Sequence, residues 1–140
     1  MLHWYCEPPT PELTEYVEYL YGRRDEAVYV PRREISMGDW KPELNYCHDN
    51  VTVWVNGNQT HNAVRGWLFF DMDGNLPFLR FAPHSVVRDE KGVLFDPTPS
   101  IGGKSYPFLT GECSEEQFRR WDKLLADTHG ASFLDYGSST

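Results

Sequence analysis

The chain has 140 residues, enough for one domain with a sizeable core and too few for two. Its 13 Lys and Arg stand against 21 Asp and Glu, a net charge of −8. That balance excludes the clustered cations that a nucleic-acid binder or a protein bound to anionic membrane needs. No apolar run approaches the roughly 20 residues of a membrane span.

The segment Met1-Leu2-His3-Trp4-Tyr5 has neither the basic region nor the apolar stretch of a secretory leader. Cys6, Cys47 and Cys113 are odd in number, and no Cys-x-x-Cys pair occurs. Both features predict reduced thiols in the cytoplasm rather than a disulfide framework. Five Trp, eight Tyr and eight Phe supply the apolar area a small core requires.

Thr10-Pro11-Glu12 reads as a helix start, with a hydroxyl cap and Pro in the first turn. Leu13, Tyr16, Val17 and Leu20 then form one apolar stripe, which ends at Gly22. Ala27 to Val30 resembles a short strand stopped by Pro31, and residues 31 to 46 show no steady period. Cys47 to Val55 fits two periods. Val51, Val53 and Val55 alternate as in a strand, while Cys47, Val51, Trp54 and Val55 share one helical face with Gly57 as a stop. The helix is preferred here, although the β-branched residues count against it.

Ala63 to Phe70 reads as a strand, and Asp73-Gly74 as a hairpin turn into a second strand, Leu76 to Phe81. Pro83 to Arg88 and Val93 to Asp96 read as two further strands, joined around Glu90-Lys91-Gly92. Ser114-Glu115-Glu116-Gln117 is a capping box opening a helix whose Phe118, Trp121, Leu124 and Leu125 face the core. Helices before and after a run of strands predict a single α+β domain over residues 1–140, an antiparallel sheet flanked by helices.

Three residues on these elements suit nucleophilic chemistry: Cys47 at a helix start, His84 on a strand and Asp96 at the end of the next. A thiol attacks as thiolate, and a helix amino terminus and an imidazolium both favour that form. A carboxylate fixes the tautomer and orientation of the histidine. If Glu90-Lys91-Gly92 is a three-residue loop with Gly92 left-handed, Asp96 falls opposite Val86 and on the face of His84, a diagonal of about 7–8 Å. A four-residue loop would put the two on opposite faces.

The order of these residues resembles the transglutaminase-like branch of the papain-like cysteine superfamily. The matching stretches are Tyr46-Cys47-His48-Asp49-Asn50, Val64-Arg65-Gly66-Trp67, His84-Ser85-Val86-Val87 and Leu94-Phe95-Asp96-Pro97-Thr98, together about residues 45–99. His48 stands just after the cysteine and Val86 two residues after the histidine, where that family commonly carries aromatic residues. The resemblance implies a papain-like or transglutaminase-like core in which Cys47 attacks an amide or acyl carbon, His84 is the base and Asp96 orients it. The backbone N–H of Cys47, with the amides of Asn45 or Asn50, would form an oxyanion hole. Trp40, in the irregular approach to Cys47, is the aromatic best placed for a substrate cleft.

Other constellations are weaker. Cys113, just before the capped helix, competes with Cys47 but lacks a partner pattern. Cys47, His48, His61 and His84 match no zinc spacing, Asp71 to Asn75 lacks the distal Glu of a calcium loop, and Gly102-Gly103-Lys104-Ser105 lacks the leading Gly of a phosphate loop. No metal and no cofactor is expected. The sequence therefore predicts a cysteine-dependent acyl-transfer enzyme acting on an amide, whether hydrolase, deamidase or transamidase. Its substrate would be a protein or peptide, with a basic one favoured by the charge. The alternative is a non-catalytic acidic protein-binding module, of inhibitor or immunity type, that keeps the fold. Oligomeric state is left open.

Overall fold

The computed structural model of the chain describes residues 2–4, 10–70, 78–100, 105–129 and 133–138. The elements in order are β1 (Leu2–Trp4), α1 (Pro11–Gly22), α2 (Cys47–Gly57), β2 (Asn62–Phe70), β3 (Phe78–Arg88), β4 (Leu94–Phe95), β5 (Phe108–Thr110), α3 (Glu115–His129) and β6 (Leu134–Ser138). The strands form one antiparallel sheet in the order β1-β6-β3-β2-β5, with β4 also paired to β3. The architecture is α+β.

Local chemistry sets the helix ends. Thr10 Oγ1 accepts a hydrogen bond from the Leu13 N–H, and Pro11 occupies the first helical position. At α3, Ser114 Oγ accepts from the Gln117 N–H while Gln117 Oε1 accepts from the Ser114 N–H, a reciprocal capping box. The ambiguous Cys47 segment is a helix. Its Val51 is buried, with Trp54 and Val55 packed beside it, so the helical stripe outweighs the alternation of valines.

The odd-numbered residues of β2 and β3 share one face, and all three helices lie against it. Leu13, Val17 and Leu20 of α1 and Phe118, Trp121 and Leu125 of α3 enclose Trp67, Phe69, Phe81 and Leu109. Further along, Val51 of α2 packs with Val87 and Phe95. The opposite face carries Val64, Val86 and Phe108, covered by Val30 and Leu94 rather than by a helix.

Some expectations are corrected. Residues 27–30 form no strand: Val28 makes one bridge to Phe108, with paired backbone hydrogen bonds of 2.9 and 2.7 Å. The predicted break at Pro83 is absent, because β3 runs through it with Pro83 opposite Trp67. The Phe69 N–H bonds to Pro107 and the Gly111 N–H to Arg65, so odd-numbered peptide groups of β2 face β5. Residues of β3 opposite them, Pro83 included, turn their nitrogen to the other edge. That edge is paired by β6 only as far as Phe81 and by β4 only from Val87, which leaves room for a residue without a donor. The strands β1, β5 and β6 were not expected. The Asp73-Gly74 turn and residues 102–104 lie outside the described residues.

Candidate active site

The approach to Cys47 is held by a clamp. Asn50, 3% exposed in the first turn of α2, accepts from the Glu43 N–H (3.0 Å) and donates to the Glu43 carbonyl (2.8 Å). Between them the chain turns through Asn45, whose φ is +70°, a left-handed conformation that Asn tolerates better than most residues. Cys47 thereby starts α2, where the positive end of the helix favours an anion.

His84 sits on β3 opposite Gly66. The β3–β4 turn has the three-residue form, with Gly92 at φ +82° and the Asp89 N–H bonded to the Val93 carbonyl. Val87 then pairs with Phe95, which brings Asp96 to the His84 face. His84 Nε2 and Asp96 Oδ2 are 2.6 Å apart, at 12% and 9% side-chain exposure. Asp96 Oδ1 accepts from the Thr98 N–H at 3.0 Å, a turn that Pro97 helps to set. Thr98 Oγ1 accepts from Asn50 Nδ2 at 3.0 Å, so the carboxylate turn is tied to the cysteine helix.

Cys47, His84, Asp96 and Asn45 line one cavity of about 400 Å³. Burial by itself raises the thiol pKa, but hydrogen bonding to His48 and His84 and the charge on both rings bring it down to about 6. Burial by itself lowers the His84 pKa, and bonding to Asp96 and to the Cys47 sulfur raises it to about 9. Between those values the favoured state is thiolate beside imidazolium. With Nε2 held by Asp96, Nδ1 is the nitrogen left to serve the sulfur. The arrangement can attack an acyl carbon and hand a proton to a leaving group.

Two expected residues take other places. The Asn50 amide hydrogens are bonded to Glu43 and Thr98, so none is left for an oxyanion. Trp40 pairs with Met37 across a tight turn and is not among the cavity-lining residues. Asn45 does line the cavity, and it is exposed.

A polar cluster that sequence reasoning missed lies behind Cys47. His48 Nδ1 is 2.5 Å from Ser85 Oγ and 3.7 Å from Cys47 Sγ. The ring also meets Phe118 edge-on at 5.3 Å, which gives it the packing role of an aromatic side chain. Arg65, only 9% exposed, donates to Ser85 Oγ (2.9 Å), Thr52 Oγ1 (2.9 Å) and the His48 carbonyl (3.3 Å), and pairs with Glu115 at 3.0 Å. Parity held the signal: Arg65 alternates in step with Trp67 and Phe69, a charge on the inward face of a strand.

The remaining candidates separate. Cys113 lies 3.7 Å from the Tyr16 hydroxyl, and burial raises its pKa, so it is not activated. His61 accepts from Trp54 Nε1 and pairs with Glu90 at 2.7 Å, past the far end of α2. Among the described residues no group of three or more His, Cys, Asp or Glu side chains is placed to hold a metal ion, and no helix is long and apolar enough to cross a membrane. Cys6 lies outside the described residues. No family model, curated protein or solved structure matches the chain.

Proposed function

We propose that the protein is a cysteine-dependent acyl-transfer enzyme acting on an amide or related acyl compound, on a transglutaminase-like core. The observation that carries this reading is the single cavity shared by Cys47 and His84, with Asp96 2.6 Å behind the imidazole. The Cys47 thiolate adds to the carbonyl carbon and forms a C–S bond. The C–N bond of the substrate breaks, and the leaving amine takes the proton of the His84 imidazolium. Water, or a second amine, then attacks the thioester and gives its proton to His84, which releases the acyl product and restores the thiolate. The Cys47 N–H, at the first position of α2, has no intrahelical acceptor and suits the developing oxyanion, and Asn45 in the same cavity lining is the proposed second donor. A reactive thiolate is prone to oxidation, so a reducing compartment suits it, and the cytoplasm is the proposed location. The proposed substrate is a protein or peptide.

The test is thiol reactivity. Iodoacetamide at a pH of about 6 should label Cys47 at least tenfold faster than Cys113 or a free thiol, and Cys47→Ala should remove that labelling from a folded protein. Slow, equal labelling of the cysteines would overturn the enzyme reading in favour of a binding module.

A further inference from the structure

The cavity extends well beyond the Cys47–His84 pair. Its wall comes from the sheet face opposite the helices. Leu68 and Phe70 follow Gly66 along that face of β2, each step of two residues advancing about 7 Å from the point opposite His84. A Cβ at position 66 would overlap the Leu109 carbonyl and lie 2.6 Å from the Phe108 ring. Glycine therefore lets Phe108 cover the strand, edge-on to His84 at 6.2 Å between ring centres. The Tyr106 ring packs on Phe70 at 4.3 Å, and Val30 and Leu44 complete the apolar lining.

The charges in this lining cancel. Arg32 and the His84 imidazolium stand against Asp96 and the Cys47 thiolate, so the described lining residues carry no net charge despite the −8 of the chain. Ser100 Oγ, also in the lining, is buried without a hydrogen-bond partner.

We propose that this cavity is the acyl-side subsite of the reaction above and takes one uncharged apolar side chain, aromatic or branched, on the acyl donor. The inference rests on the nucleophile reading and adds the substrate class. A carboxylate or ammonium entering beside Leu68, Phe70, Tyr106 and Phe108 would lose its hydration among apolar groups, while Arg32 and His84 are already paired with Asp96 at 3.9 and 2.6 Å. A glutamine side chain would press its amide against the aromatic wall without a hydrogen-bond partner.

The experiment compares p-nitrophenyl esters of N-acetylated Gly, Leu, Phe, Asp and Lys, following the burst of p-nitrophenol as the thioester forms. Iodoacetamide labelling of the same samples reports the nucleophile separately. Leu and Phe esters should acylate about tenfold or more faster than the other three. Phe70→Gln should bring the Phe-to-Gly ratio toward one, and Tyr106→Gln repeats the test if the first variant does not fold. Equal rates across the esters, a preference for Asp or Lys, or no burst at all beside fast labelling would overturn the subsite and leave the thiolate in place. Slow labelling would overturn the nucleophile itself.

Discussion

The low thiol pKa of Cys47 comes from neighbours on both sides: His84 across the cavity, and His48 at 3.7 Å behind it. The pH dependence follows from the two pKa values. Thiolate forms as pH rises through about 6, and the imidazolium is lost as pH rises through about 9, so acylation should rise, plateau and fall between those limits. Replacing His84 with Ala removes a cation beside the sulfur, and the labelling midpoint should move upward from about 6 toward the ordinary thiol value. Asp96→Asn should pull the falling limb down from about 9, because the carboxylate holds the proton on His84. Its rate should drop by about 10²–10⁴-fold, measured as the pH profile of ester acylation. His48→Phe keeps an aromatic edge against Phe118 and removes the nitrogen near the sulfur, so it should raise the labelling midpoint; losing the bond to buried Ser85 should also cost about 1–3 kcal/mol in stability. The roles of His48 and Arg65 were not legible in motif spacing. They depend on Ser85, a strand residue distant in sequence that the β2–β3 register places opposite Arg65.

Among the elements, those with their own local chemistry were the legible ones. Helix α1 has a capping threonine and a proline at its first position, and α3 has a reciprocal box, so both starts are written in a few adjacent residues. Thr10→Ala should cost about 1 kcal/mol in a denaturant titration, the usual value of a lost cap. Strands of three to five residues such as β1, β5 and β6 carry too few positions for a period and exist because a neighbour supplies hydrogen bonds. Pro83 misled for a related reason: its effect depends on which edge its nitrogen faces, a property of pairing rather than of proline. The close approach at Gly66 gives a sharper test. Gly66→Ala must displace the Phe108 ring or part β2 from β5, and should cost about 3 kcal/mol by overpacking. The same variant should lose the Phe-over-Gly preference in acylation, since Phe108 is cavity wall.

For the whole molecule, one sheet separates two functions. Its helical face holds the aromatic core, where Trp67 is fully buried among α1 and α3, and Trp67→Ala should cost about 3–5 kcal/mol in chemical denaturation. Its other face lines the cavity, which Cys47 enters from the start of α2. The net charge of −8 lies outside that cavity and acts at long range. It should speed the approach of cationic peptides at low salt, an advantage that fades as the Debye length shrinks to about 8 Å at physiological ionic strength. Uncharged esters should acylate at a rate indifferent to salt, and measuring both against ionic strength separates attraction to the surface from selection in the cavity. The sequence by itself determined the acidic balance, the α+β order, the helix starts, and the Cys47, His84 and Asp96 positions as a set worth joining. Each of these rests on residue type or on contacts within a few positions. Only the tertiary structure decided that the β3–β4 turn has its three-residue form, that Asn50 clamps the approach loop, that Trp40 stays out of the cavity, and that Arg65 is buried behind Cys47. Those outcomes depend on strand register and on which face of the sheet a side chain enters, and a shift of one residue would reverse them.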